Sequence, residues 1–381
     1  MIPQNVVELL QALIRIPSVN PHGDPGTAEI GEARCAEFVG QFLAACGARA
    51  ELREVHPGRP NVVGFFPSDA PGKDIIIFAP HTDTVSVAGM TIDPFGGEVR
   101  DGKVWGRGAS DTKGSMAAML WMLFEMRESI PSLPYEIQFV GLMSEEAGQD
   151  GSKAFSAELR AELDRDNGRR AFAVVGEPTG LDIVHAHKGS MWLYLTTRGK
   201  AVHAASPERG ENAIYKMADV IRCIRDEVAP EFQKIKDPLL GSPTVSVGIC
   251  RGGSKTNIVP DECHAEVDMR VIPGDFDALA CVTEKLRAVC PDIEIEHTQS
   301  PPLYTDPGHP LVHALEASGG QCIGAPWFCD AAVFATAGIP AIAVGPGSIA
   351  QAHTCDEWIM IDDLRKGVEF YGNFLKFTQR K

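Results

Sequence analysis

Four stretches of this 381-residue chain are continuous apolar runs: residues 74–80 ("DIIIFAP"), 136–143 ("EIQFVGLM"), 171–176 ("AFAVVG") and 340–345 ("PAIAVG"). A strand wetted on one face alternates apolar and polar residues, whereas a strand covered on both faces does not. The runs therefore predict a parallel sheet packed between helices. Helical patterns lie between them, residues 113–130 being one, so this part reads as a layered α/β domain. Residues 1–20 predict an amphipathic helix with Val6, Leu9, Leu10, Leu13 and Ile14 on one side. Without a basic start or an uninterrupted apolar centre, they do not read as a signal peptide.

Residues 188–297 have a different character. In "CHAEVDMRV" (263–271) His264, Glu266, Asp268 and Arg270 fall on one face, and Ala265, Val267, Met269 and Val271 on the other. That is an antiparallel strand with one wet side. Its neighbours complete a β-α-β-β-α-β order, which predicts a ferredoxin-like sandwich. The sandwich is inserted into the first domain, which takes residues 1–187 and 298–381, with Gly189 and the proline-rich 300–310 segment as candidate hinges.

Two domains suit the length. A formal net charge of −16 argues against a nucleic-acid or anionic-membrane partner, either of which needs a basic face. No window approaches the roughly 18 uninterrupted apolar residues of a membrane span. The ten cysteines are scattered without a C-x-x-C pair, so neither a zinc ribbon nor a disulfide framework is indicated. A cytoplasmic location is expected.

The polar residues at the ends of the runs carry the functional signal. The first run leads into His81, Thr82 and Asp83, the second into Glu145 and Glu146, the third into Glu177, and the fourth, after a loop, into His353. Ligands of open α/β sheets bind beyond the carboxyl ends of the strands. Singly, each residue has a plain reading: a loop histidine, or adjacent glutamates in a solvated loop. Asp111, in the glycine-rich "GRGASDTKG", reads singly as a helix N-cap. Independent loops have no reason to place such groups at one edge together. No G-x-x-x-x-G-K-[ST] phosphate loop and no G-x-S-x-G nucleophile elbow is present.

His81, Asp111, Glu146, Glu177 and His353 have the composition of a two-metal site, and mixed imidazole and carboxylate donors suit zinc, cobalt or manganese. Five ligands fill two centres only if one carboxylate bridges, for which Asp111, short and in a tight loop, is the best candidate. Asp83, two residues from His81, suits the role of orienting that imidazole. Side chains of successive extended residues diverge, so Glu146 can ligate a metal while Glu145 stays free as general base. Two cations would offset the repulsion within the pair.

The segments "HTDTV", "GRGASDTKG", "MSEEAG", "VGEPT", "GKAVHAASPERGENAI" and "GPGSIAQAHTCDEW" together resemble the dinuclear-zinc deacylase and exopeptidase family. That family includes acetylornithine deacetylase, succinyl-diaminopimelate desuccinylase, aminoacylase and glutamate carboxypeptidase. The resemblance spans nearly the whole chain and implies a metal-binding domain interrupted by a lid domain that also makes a homodimer. It implies that His81, Asp111 and Glu177 hold one metal, that Asp111, Glu146 and His353 hold the other, and that Glu145 is the base. It further implies that His203 reaches the partner subunit's site and that Asn257 and Arg270 contact the substrate, Arg270 through a carboxylate. "VHAHKG" (184–189) and "GPGSIAQAHTCDEW" look most like acetylornithine deacetylase, implying an N-acyl amino acid substrate. "WFCDAAVF" (327–334) matches neither relative: Ala332 replaces the arginine of the desuccinylase pattern, and Asp330-Ala331 replaces the Thr-Glu of the deacetylase pattern.

Overall fold

The computed structural model describes residues 3–22, 30–69, 72–166 and 168–379. By internal contacts the chain divides into two units. The first is Met1–His185, Thr305–Ile323 and Cys329–Lys381; the second is Ala186–Tyr304 and Gly324–Phe328. The 188–297 span expected for the insertion falls inside the second unit, which is wider at both ends and takes a further short segment.

The first unit is built on a sheet whose strands run in the order Arg49–His56, Arg59–Phe65, Glu136–Gly141, Ile75–Pro80, Ala171–Gly176, Ala341–Ala343 and Ile183–His187. The four apolar runs are its centre, and these strands pair parallel. The sheet as a whole is mixed, which corrects the expectation of a purely parallel one, because Arg59–Phe65 and Ile183–His187 join antiparallel. Alternate residues of the central strands, Ile76 and Phe78 among them, enter one large core with the helices Val6–Ile14, Lys113–Met126 and Ile361–Phe377. Phe78 meets Tyr371 and Phe374 edge to face at 5.8 and 6.4 Å between ring centroids, a geometry aromatic quadrupoles favour. The helix from Lys113 ends at Met126, short of the expected 130, and Pro131 falls in a separate 3-10 turn.

Lys113 is buried at the start of that helix. Its ammonium donates to the Leu13 and Ile16 carbonyls at 3.0 and 2.8 Å, tying the start of this helix to the end of the first.

The second unit has a four-stranded antiparallel sheet in the order Thr244–Gly252, Glu262–Val271, Gly189–Arg198, Glu294–Ser300. Helices Ala213–Cys223 and Ala278–Val289 cover one face, giving the expected ferredoxin-like sandwich. Cys263, Ala265, Val267 and Met269 are buried there, while Trp192, Tyr194, His264 and Glu266 are exposed on the other face. The first helix runs on through a π turn (Ile224–Val228) into Ala229–Lys234, with Pro230, which has no N–H to donate, just after the π turn. Gly189 is tied down by close approach: a Cβ there would lie 2.6 Å from the Ser300 carbonyl oxygen and 2.7 Å from the Pro302 nitrogen.

Candidate metal centre

The strand Ile75–Pro80 ends where the parallel bridge His81–Leu142 begins, so His81 is delivered at the carboxyl edge of the sheet. Its Nδ1 lies 2.9 Å from the Asp83 carbonyl and 3.4 Å from the Asp83 carboxylate, leaving Nε2 3.1 Å from Asp111 Oδ1. The carbonyl therefore makes the shorter orienting contact that the sequence reading gave to the carboxylate. Asp83's carboxylate is mainly engaged elsewhere. It accepts from Asn20 Nδ2 at 2.8 Å and from the backbone N–H groups of Glu145 and Glu146, both at 3.0 Å. Burial raises the Asp83 carboxyl, yet it is held below its usual range, chiefly by the His81 contact and then by Asn20 and the Glu146 N–H.

The turn carrying the glutamates is fastened from behind as well. Asn61 accepts from the Met143 N–H at 3.0 Å and donates to the Gly151 carbonyl at 2.9 Å. Position 151 excludes any larger residue, since a Cβ would stand 2.6 Å from Asn61 Oδ1. Within the turn Ser144 adopts a left-handed φ of 66°, and its hydroxyl donates to the Ala147 carbonyl. Glu146 reaches His353 Nε2 at 3.0 Å, and the same nitrogen stands 3.5 Å from Asp111 Oδ2. Asp111 thus offers one carboxylate oxygen to each imidazole. Its N-cap alternative does not hold: the cap position of the following helix is Thr112, which makes no side-chain cap bond.

Donor atoms of His81, Asp111 and Glu177 lie within 4.8 Å of one another, as do those of Asp111, Glu146 and His353. The two groups share Asp111. Two observations test whether divalent cations suit them. Glu146 Oε1 and Glu177 Oε1 are buried with no hydrogen-bond partner among the described residues, a state buried carboxylate oxygens avoid. The carboxyls also resist ionisation without a cation. Burial, then the proximity of Asp111, pushes Glu146 up to about 7 and Glu177 well above its usual range. Burial and then Glu177 do the same to the half-buried Glu145. His81 and His353 are raised by their carboxylate partners, His353 chiefly by Glu146 and His81 by Asp111 against burial. This donor set fits a pair of cations bridged by Asp111, with Glu145 outside both groups.

Two contributors act through tertiary contact: Glu357, not singled out in the sequence, and Asp330, marked there only by its departure from the relatives' pattern. Glu357 accepts four hydrogen bonds around the Asp111 loop. Asp330, fully buried, accepts from Ser152 Oγ at 2.5 Å, and burial lifts it to about 7. Neither contact had a local signal, because the partners lie 178 to 250 residues away. In the second unit, His203 bridges to Ile258 and Asn257 accepts from the Ala204 N–H at 3.0 Å, so those two predicted residues are neighbours. Arg270 lies on the sheet's open face. Its Nε donates to Asp268 at 3.0 Å, and its guanidinium lies 5.9 Å from the Phe328 ring centroid.

A layered α/β unit with imidazole and carboxylate donors gathered at its sheet edge has the make-up of a metal-binding site. Residues 77–376 match the model of peptidase family M20/M25/M40, and the chain belongs to that family. It is 29% identical over 370 residues, 93% of each chain, to an acetylornithine deacetylase of Edwardsiella ictaluri (strain 93-146). Its fold is shared with the aminopeptidase PepT of Bacillus cereus ATCC 10987 (TM-score 0.77, 22% identity, 99% of each chain covered). It is shared too with the YXEP protein of Bacillus subtilis, described as a dinuclear metal-binding peptidase (TM-score 0.67, 16% identity, 98% and 97% covered). No described helix is long and apolar enough to cross a membrane.

The raised carboxyls and imidazoles have a consequence for stability. A group whose folded pKa is raised stabilises the fold below its unfolded pKa and loses that contribution as pH rises through the folded value. Glu146 and Asp330, both at about 7, place the loss near neutrality, and raised His81 and His353 act with the same sign. Metal-stripped protein should therefore lose stability to urea between pH 5.5 and pH 8, while zinc-loaded protein should not. A metal-stripped protein that gains stability over that interval would contradict the assignment.

Proposed function

We propose that this hydrolase removes a small acyl group from the α-nitrogen of an N-acyl-L-amino acid, in the manner of acetylornithine deacetylase. The single observation that carries the reading is Glu145: a half-buried carboxylate beside two donor groups that share Asp111, and a member of neither. His81, Asp111 and Glu177 would hold one divalent ion, and Asp111, Glu146 and His353 the other, zinc first, with cobalt or manganese compatible. When bound, such ions polarise a carbonyl and lower the pKa of a water from 15.7 toward about 7. Glu145 takes the proton of the attacking water and returns it to the departing nitrogen. Asp83 fixes the base by holding its backbone N–H and that of Glu146. A binding protein without activity would have no use for a base so held.

With Nε committed to Asp268, Arg270 keeps its Nη1 and Nη2 donors for a substrate carboxylate, a planar fork that binds such groups bidentately. Asn257 adds a polar contact, and His203 would stabilise the developing oxyanion from the partner subunit of a homodimer. The 29% identity to an acetylornithine deacetylase supports the N-acyl amino acid class. Ala332 gives no cation for a second acid group, which weighs against a desuccinylase. A cytoplasmic enzyme is consistent with the absence of a membrane-crossing helix among the described residues.

Three measurements test these roles. Glu145→Gln should keep two bound metals and lose about 10²–10⁴-fold in kcat, whereas Glu146→Gln should lose metal from one site. The opposite pattern would invert the pair. Arg270→Ala should weaken hydrolysis of N-acetyl amino acids far more than that of their amides, and equal losses would make Arg270 purely structural. Glu145→Gln and His203→Ala homodimers, each nearly inactive, should recover roughly a quarter of wild-type activity after refolding together, since half the dimers carry one intact composite site. No recovery would confine His203 to its own chain.

A further inference from the structure

A small antiparallel sheet brings together two loops far apart in sequence. Its strands Glu98–Arg100, Lys103–Trp105 and Trp358–Met360 pair so that Trp358 faces Trp105. The residues just outside that pairing are Gly106 and Glu357, and the Gly106 N–H donates to the Glu357 carbonyl at 3.0 Å. Glu357 is fully buried, and Arg107 nearly so. The carboxylate of Glu357 accepts from Arg107 Nη1 at 2.8 Å and the Gly108 N–H at 2.9 Å through Oε2. Through Oε1 it accepts from the Ser110 N–H at 2.7 Å and the Asp111 N–H at 2.8 Å. Arg107 extends the web, donating from Nη2 to the Thr354 carbonyl at 3.1 Å and from Nε to the Ser86 carbonyl at 3.1 Å.

Two candidate ligands are anchored by this one ion pair. Glu357 binds the backbone of Asp111 itself, and Arg107 binds the residue next to His353. His353 has a left-handed φ of 60°, a conformation that a residue with a Cβ keeps only when its surroundings impose it.

We infer that the Arg107–Glu357 pair is the positioning element that sets both metal sites at once, fixing Asp111 as the shared ligand and His353 as the ligand of the second site. The inference rests on the two-metal reading given above. Its chemistry is specific to a carboxylate. Four donors converge on Glu357, and a carboxylate has about four acceptor positions. A glutamine keeps one accepting oxygen and turns an N–H₂ donor toward backbone N–H groups, so the Asp111 loop must shift.

Zinc titration of metal-free protein by calorimetry reads the effect directly, without activity. Wild type should bind two zinc ions per chain. Glu357→Gln should weaken both sites about 10–100-fold, the usual effect of losing a partner that orients metal ligands. The control is Glu32→Gln. Glu32 is an equally buried partner of Arg59, with contacts of 2.8 and 2.5 Å, and is bonded to no ligand-bearing backbone among the described residues. That variant should melt earlier yet bind zinc as wild type does.

If Glu357→Gln does not fold, as judged by circular dichroism, Arg107→Lys takes its place. Lysine keeps the charge but not the fork that reaches Glu357 and Thr354 together, so the site containing His353 should weaken more than the other. Unchanged zinc affinities in a folded Glu357→Gln, or in Arg107→Lys where that variant replaces it, would overturn the inference. So would equal weakening in Glu32→Gln, which would mean that only general stability was lost. A wild-type protein that fails to bind two zinc ions would instead remove the two-metal reading on which the inference stands.

Discussion

Like-charge crowding is the constraint on which the first unit depends. Asp83, Asp111, Glu145, Glu146 and Glu177 converge with only two imidazoles at one sheet edge, and burial has removed most of the water that would screen them. Isolated buried carboxylates avoid such a place by taking up protons, and the upward shifts of Glu145, Glu146 and Glu177 are that response. The fold surrounds this crowding with hydrogen bonds that hold the carboxylates in place. Asp83 is fed by three N–H donors and Glu357 by four. Of the three buried carboxylate oxygens without partners among the described residues, Glu146 Oε1 and Glu177 Oε1 belong to the proposed ligand sets, and the third is Asp330 Oδ2. Divalent ions would give those two ligand oxygens their partners.

Much of this was legible in the residues, for identifiable reasons. A strand buried on both faces has no polar residue to spare, so the first polar groups after "IIIFAP", "FVGLM" and "AFAVVG" had to mark the edge of the core. His81, Glu146 and Glu177 stand there, and the strict alternation of residues 263–271 fixed which side of the second unit's sheet is wet. Helix ends and sheet sense were less legible. Nothing in "RPNVVGF" tells that Arg59–Phe65 pairs antiparallel with a strand from an apolar run, because apolar periodicity encodes coverage and not direction.

The residues that hold the site in place were invisible for a different reason. Glu357 is one of two adjacent acids in "HTCDEW", and its partners lie about 250 positions earlier. Lys113 opens a helix, yet its ammonium binds the end of another helix 100 residues away. Asp83 was visible but its task was only half read: spacing showed its nearness to His81, while its bonds to the glutamate turn depend on tertiary contact. The candidate metal ligands announce themselves by clustering at one edge. Side chains that act on backbone do so one hydrogen bond at a time, across distances that no local pattern spans.

The central claim is that Asp111 joins two cation sites from which Glu145 is excluded. Anomalous diffraction from crystals of the zinc-loaded protein tests it most directly. Two zinc peaks roughly 3.5–4 Å apart, the usual spacing of two-metal sites, are expected. One should lie among His81, Asp111 and Glu177 and the other among Asp111, Glu146 and His353. A single peak, or a zinc ion ligated by Glu145, would contradict it.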